Sequence, residues 1–135
     1  MPAGYSKRSL VDKLGIKAAS KIAILSSPDG YEATLGALPE GVTNLSKLRP
    51  SLDFIHFFTK QRADLERKFP KLKSSLAANA TLWISWPKGA SKIPTDLNEN
   101  VVREIGLKNG LVDVKVCAVD EVWSGLKFVY RIKDR

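Results

Sequence analysis

Residues Thr81 to Asp96 read Thr-Leu-Trp-Ile-Ser-Trp-Pro-Lys-Gly-Ala-Ser-Lys-Ile-Pro-Thr-Asp. Leu82, Trp83, Ile84 and Trp86 form a short β-prone apolar run stopped by Pro87, the pattern of a strand covered on both faces in a parallel sheet. Loops at the carboxyl ends of such strands are where open α/β sheets hold ligands, and this loop carries Trp86, Pro87, Lys88, Gly89, Ser91 and Lys92.

Towards the carboxyl terminus, Asp96 and Glu99 have the spacing of a helix cap, with Thr95 as the alternative cap. Leu97, Val101, Val102 and Ile105 supply one apolar face, and Asn109-Gly110 is a stop signal. Beyond it, Val112, Val114, Val116 and Ala118 alternate with Asp113, Lys115 and Cys117. Leu126, Phe128, Tyr130 and Ile132 alternate in the same way with Lys127, Val129, Arg131 and Lys133. The link Asp120 to Gly125 suits a hairpin and is too short for a helical crossover, so these two strands are expected to be antiparallel neighbours.

Towards the amino terminus, Leu65, Phe69, Leu72 and Leu76 step by four, three and four, which places them on one helix face. Pro70 lies inside that pattern and predicts a kink or a restart. Leu52 to Thr59 is a second strong strand, aromatic and β-branched apart from Asp53 and His56. Pro39, Gly41 and Asn44 mark a loop, with Val42 to Leu48 a short edge-strand candidate. Lys21 to Ser26 is the first strand, closed by Ser27-Pro28-Asp29-Gly30 and followed by a short helix from Tyr31 to Leu35. Ser9 is placed to cap a helix from Leu10 to Leu14 ended by Gly15, and residues 1–8 read as a loose arm. The expected organisation is an arm and short helix over residues 1–20, then a single domain over residues 21–135. The element order gives a mostly parallel, doubly wound sheet with an antiparallel edge.

The chain has 135 residues, 44% of them hydrophobic and 27% charged, an ordinary globular balance. No apolar run approaches the ~20 residues needed to cross a bilayer. The stretch from Met1 to Lys21 is broken by Lys7, Arg8, Asp12, Lys13 and Lys17, so it has no signal-peptide centre. Cys117 is the only cysteine, which excludes an internal disulfide and a cysteine-built zinc cluster. A cytoplasmic location is expected, with no membrane partner. The formal charge of +8 favours anionic partners, but basic residues are spread from Lys7 to Arg135. Their densest group, from Lys60 to Lys73, is interrupted by Asp64 and Glu66. It reads first as a solvated helix face and second as a polyanion site.

From Asp53 to Ile132 the order of strand, helix, Leu-Trp-Ile-Ser-Trp strand, helix, Gly110 to Glu121 and Trp123 to Val129 resembles the second half of a Rossmann-like S-adenosylmethionine-dependent methyltransferase. The whole chain resembles a narrower family, small bacterial proteins known only as a domain of unknown function. That resemblance rests on Leu25 to Glu32, Trp86-Pro87-Lys88, Thr95-Asp96-Leu97 and Val116 to Val129. It implies a shortened Rossmann-like three-layer α/β sandwich with a carboxyl-terminal antiparallel hairpin, and it brings no established reaction. The methyltransferase pattern also implies a glycine-rich turn after the first strand and an acid ending the second. Here the turn is Ser26-Ser27-Pro28-Asp29-Gly30, with one glycine and a proline that removes an amide donor. Glu40 is the nearest acid before the edge-strand candidate.

Three loops supply the candidate ligand-binding residues: Ser26, Ser27, Asp29 and Gly30 after the first strand, Thr59 and Lys60 after the second, and Trp86, Lys88 and Lys92 after the third. Amides opening a helix suit an anion, whereas the same turn also reads as an ordinary strand-to-helix connection capped by Ser27 or Asp29. Trp86 with Lys88 and Lys92 suits a nucleotide or phosphate. The alternative is a core tryptophan beside solvated lysines. His56 and Cys117, both mid-strand, read as core groups rather than catalytic ones, and adjacent Asp120 and Glu121 point opposite ways. Asp120 is expected to pair with a loop lysine. No catalytic residue is assigned and no metal-ligand spacing occurs.

The reading is a small binding or regulatory module without a standard methyltransferase cofactor loop and without an assigned cofactor. It would take an anionic small molecule or a protein partner, as a monomer or homodimer. Two alternatives stay open: a divergent S-adenosylmethionine- or nucleotide-dependent enzyme, and a non-specific nucleic-acid binder.

Overall fold

The computed structural model describes residues 9–135; the arm expected over residues 1–8 lies outside the described residues. The chain runs α1 (Leu10–Leu14), β1 (Lys21–Leu25), α2 (Tyr31–Leu35), β2 (Thr43–Asn44), β3 (Leu52–Phe58) and α3 (Arg62–Ser74). It continues through β4 (Leu76–Pro87), α4 (Glu99–Lys108), β5 (Leu111–Ala118) and β6 (Trp123–Tyr130). The strands form one sheet in the order β2-β1-β3-β4-β6-β5. Only β6 runs against the others, slotted between β4 and β5 by antiparallel pairing on both sides. This is the expected Rossmann-like α/β sheet with its carboxyl-terminal hairpin.

Side-chain alternation divides the core into two layers. Ile55 and Phe57 of β3 and Leu82, Ile84 and Trp86 of β4 face α3 and α4, where Leu65, Phe69, Leu72, Val102 and Ile105 cover them. Phe54 and Phe58 of β3 and Trp83 of β4 face the opposite side, covered by Val11 and Leu14 of α1 and Tyr31 and Leu35 of α2. The Trp83 indole donates to the Leu14 carbonyl at 2.8 Å, which satisfies its N–H in the core and pins α1 to the sheet.

Several local expectations change. Pro70 neither ends nor restarts α3, which runs through it as one helix. Leu76, expected on that helix, instead opens β4, which is longer at its start than the Thr81 to Trp86 run. The helix expected from Asp96 begins at Glu99, with Asn98 as its cap accepting from the Val101 amide at 2.9 Å. Asp96 serves the neighbouring helix, its carboxylate accepting from the Arg62 amide at 2.7 Å at the start of α3. Among the described residues Asp120 pairs with no lysine: it accepts from the Val122 and Trp123 amides, both at 2.8 Å, and so builds the hairpin turn. Cys117 is half-buried rather than enclosed, because β5 is an edge strand.

The crossover from β2 to β3 is unusually brief. Parallel strands are ordinarily joined by a dozen or more residues that include a helix, yet residues 45–51 pass from the edge strand over β1 to β3 with no helix. Leu45 and Leu48 of this segment pack on the core beside Leu25. Among the described residues, the flank of α3 next to β1 therefore has no helical neighbour.

Candidate functional site

The carboxyl ends of β1 and β3 open into a cleft of about 370 Å³. Ser26 and Pro28 come from the turn after β1, Thr59, Lys60 and Gln61 from the loop after β3, Asp64 from the first turn of α3, and Phe58 and Trp123 form the aromatic wall. The loop is held by its own polar groups. Thr59 Oγ1 accepts from the Gln61 amide at 3.3 Å and donates to the Asp64 carboxylate at 2.9 Å, and Arg67 completes that carboxylate's shell at 2.7 Å. The Lys60 carbonyl accepts from Thr95 Oγ1 at 2.6 Å, which joins this loop to the one after β4. Phe58 and Trp123 meet edge to face, their centroids 5.3 Å apart.

Beneath the aromatic wall lies a buried polar chain. His56 is fully enclosed, its Nδ1 2.7 Å from the Tyr31 hydroxyl and its Nε2 2.7 Å from Ser85 Oγ. Phe58 stacks on the imidazole at 4.1 Å. One ring nitrogen donates and the other accepts, so the neutral imidazole satisfies both neighbours. Burial pushes the His56 pKa down to about 3, and burial raises that of the Tyr31 phenol. The chain ties the element after β1 to β3 and β4. His56 is then a hydrogen-bonded core histidine, as the sequence suggested, although neither partner was visible in the sequence.

Of the sequence-derived candidates, the structure brings Ser26, Thr59 and Lys60 to the cleft. Ser27, Asp29 and Gly30 line a separate opening beside α2. No serine or aspartate side chain caps that five-residue helix; Gly30 itself is the cap, at φ 84°, the left-handed conformation that glycine adopts without penalty. Trp86, only 5% exposed, belongs to the core layer under α3 and α4 and presents no ring at the rim. Even positions along β4 turn to that layer, so its parity with Leu82 and Ile84 decided the outcome. Lys88 and Lys92 are not among the cleft-lining residues; the Lys88 amide is taken by the Val122 carbonyl at 2.7 Å. Sequence reasoning missed Phe58, Gln61, Asp64 and Trp123. Their signal was faint: each lies within a few residues of a strand end, but which ends meet depends on strand order.

A second opening shares Ser26 with the cleft and lies on the α3 side of β1, a groove of about 630 Å³. Among the described residues, no cluster of three or more histidine, cysteine or acidic side chains is arranged to hold a metal ion. No helix among them is long and apolar enough to cross a membrane.

No protein-family model matches the chain. Among solved structures, it is similar to a SAM-dependent methyltransferase from Aquifex aeolicus, with a TM-score of 0.63 and 14% identity over 88% of this chain and 86% of the other. A TehB-like SAM-dependent methyltransferase from Corynebacterium glutamicum matches with a TM-score of 0.56 and 12% identity over 96% and 91% of the two chains. The Methanococcus jannaschii fibrillarin pre-rRNA processing protein matches at 0.58 and 13% over 85% and 68%. The fold is therefore that of the Rossmann-like methyltransferases. At such identities the likeness concerns the sheet and its helices, not the chemistry carried on them.

Proposed function

We propose that the protein is a small ligand-binding module that holds its ligand at the carboxyl ends of β1 and β3, in the cleft of Ser26, Phe58, Thr59, Lys60, Gln61, Asp64 and Trp123. The observation that carries this reading is convergence: two loops distant in sequence meet across one aromatic wall, at the end of the sheet where open α/β folds hold ligands. Lys60 supplies a cation, Gln61 an amide and Trp123 an apolar edge, a combination suited to a polar molecule with an aromatic or apolar part. The loop is braced before any ligand arrives, because Thr59, Asp64 and Arg67 restrain one another. The role is binding or regulation, and no residue is assigned a catalytic step.

A second reading, a divergent S-adenosylmethionine- or nucleotide-dependent enzyme, is supported by the methyltransferase fold. The residues near β1 and β2 fit S-adenosylmethionine poorly. Its sulfonium is a cation, yet the groove there is lined by Lys47, Arg67, Lys68 and Lys71 with no carboxylate. Asp64, the one acid of the neighbouring cleft, already serves Thr59 and Arg67.

A thermal-shift screen of S-adenosylmethionine, its demethylated product, nucleotides, dinucleotides and a short DNA duplex tests both readings. A ligand of the folded state raises its stability by about 2.7 kcal/mol at a hundredfold excess over the dissociation constant. The binding-module reading expects a shift that Lys60→Ala and Thr59→Val abolish and that Lys88→Ala with Lys92→Ala leaves intact. If no ligand in the screen gives a shift that depends on Lys60 and Thr59, the reading is overturned. A shift with S-adenosylmethionine in particular would favour the enzyme.

A further inference from the structure

The groove beside α3 is amphiphilic, and its origin is the helix-free crossover. Residues 45–51 cross β1 without forming a helix, so among the described residues no helix packs on this flank of α3 and a groove is left there. The floor is apolar, made by Leu25 and Leu48. The walls are cationic: Lys47 stands on the crossover, and Arg67, Lys68 and Lys71 stand on α3. No acidic side chain lines it.

These charges are poorly compensated. Among the described residues, Lys47, Lys68 and Lys71 form no ion pair, and Arg67 has only Asp64. Arg67 and Lys71 are four apart on one helix, where like charges repel and destabilise it. Lys68 lies 5.2 Å from the centroid of the Phe57 ring, which holds its ammonium at the groove without neutralising it. A surface that gathers four cations around an apolar floor is matched by an anion with an apolar body. The hydroxyls of Ser26 and Ser46 add donors at the mouth.

We infer that this groove is a second binding site, taking a phosphate ester of about mononucleotide size, with the phosphate among Lys47, Arg67, Lys68 and Lys71 and the ring or apolar part on Leu25 and Leu48. The site shares only Ser26 with the cleft after β1 and β3, and does not depend on that cleft holding a ligand. An amphiphilic groove distinguishes such a ligand from a nucleic-acid backbone: the phosphates of a duplex would use the walls and leave the floor empty.

Calorimetric titration of the full chain with ADP, with inorganic pyrophosphate and with a short single-stranded oligonucleotide tests the inference. The expected result is that ADP binds at least tenfold more tightly than pyrophosphate, and that Lys68→Ala with Lys71→Ala weakens ADP tenfold or more. Lys60→Ala, in the neighbouring cleft, should leave ADP affinity within twofold. A melting temperature of the double variant close to that of the parent shows that it folds, and Lys68→Arg with Lys71→Arg should restore most of the affinity. Three results would overturn the inference: no ADP binding at low salt, ADP binding that survives the double alanine variant, or an oligonucleotide that binds through these lysines while ADP does not.

Discussion

His56 shows how one residue couples burial to pH. Its pKa falls from an ordinary 6.5 to about 3 because burial penalises the charged ring. Between those values the unfolded chain carries a proton that the native chain lacks. Stability is therefore full above about pH 6.5 and declines as the pH falls towards 3, by up to about 1.4 kcal/mol per pH unit. Urea unfolding across this range should show that decline, and His56→Phe should flatten it. Tyr31→Phe makes a separate prediction. Removing the hydroxyl strands the imidazole Nδ1 in the core, and an unsatisfied buried polar atom costs about 1–3 kcal/mol. A variant as stable as the parent would show that the 2.7 Å contact contributes nothing.

At the scale of elements, the joints between α3, α4 and the sheet make their own predictions. Asp96 caps α3 from a loop thirty-four residues away in sequence, so Asp96→Ala should cost about 1 kcal/mol, as removal of a cap does. The same change should loosen the loop after β3, where Thr95 also holds Lys60, and amide exchange near Lys60 would report it. Gly106 lies inside α4, where alanine ordinarily strengthens a helix by about 1 kcal/mol. Here any Cβ would collide with the Phe128 ring, so Gly106→Ala should destabilise instead, by about 1–3 kcal/mol. A gain in melting temperature would mean that α4 can move off β6. Arg103 ties the same helix to the edge strand, donating to Glu99 at 2.6 Å and to Asp113 of β5 at 2.9 Å. Those hydrogen bonds hold its pKa above the ordinary guanidinium value.

Over the whole molecule the excess positive charge is divided. One group, Lys47, Arg67, Lys68 and Lys71, lies towards the carboxyl ends of the strands. A second, Lys17, Lys127 and Arg135, lines a hollow beside Asn79 and Thr81, where β4 begins. There Lys127 has its pKa lowered by burial first and then by Lys115 and Lys17. The two groups line separate openings, so affinity for a DNA duplex should be weak and its dependence on salt shallow, reflecting few displaced counterions. Fluorescence anisotropy over a salt series measures that slope. A steep one would restore the reading of a general nucleic-acid binder.

Local chemistry in the sequence determined where the elements lie. Ser9 and Gly15 bracket α1, the apolar runs at Lys21, Leu52 and Thr81 became β1, β3 and β4, and the alternating pairs near Val112 and Leu126 became the closing hairpin. Caps, stops and periodicity act within a few residues, so they are visible without any fold. Helix boundaries failed where a side chain served a distant partner, as Asp96 does for α3. Strand order, the parity that buries Trp86, the partners of His56 and the meeting of Ser26 with Thr59 and Lys60 were decided only by tertiary structure. Each depends on contacts between residues far apart in sequence, and no local pattern records which strand will lie beside which.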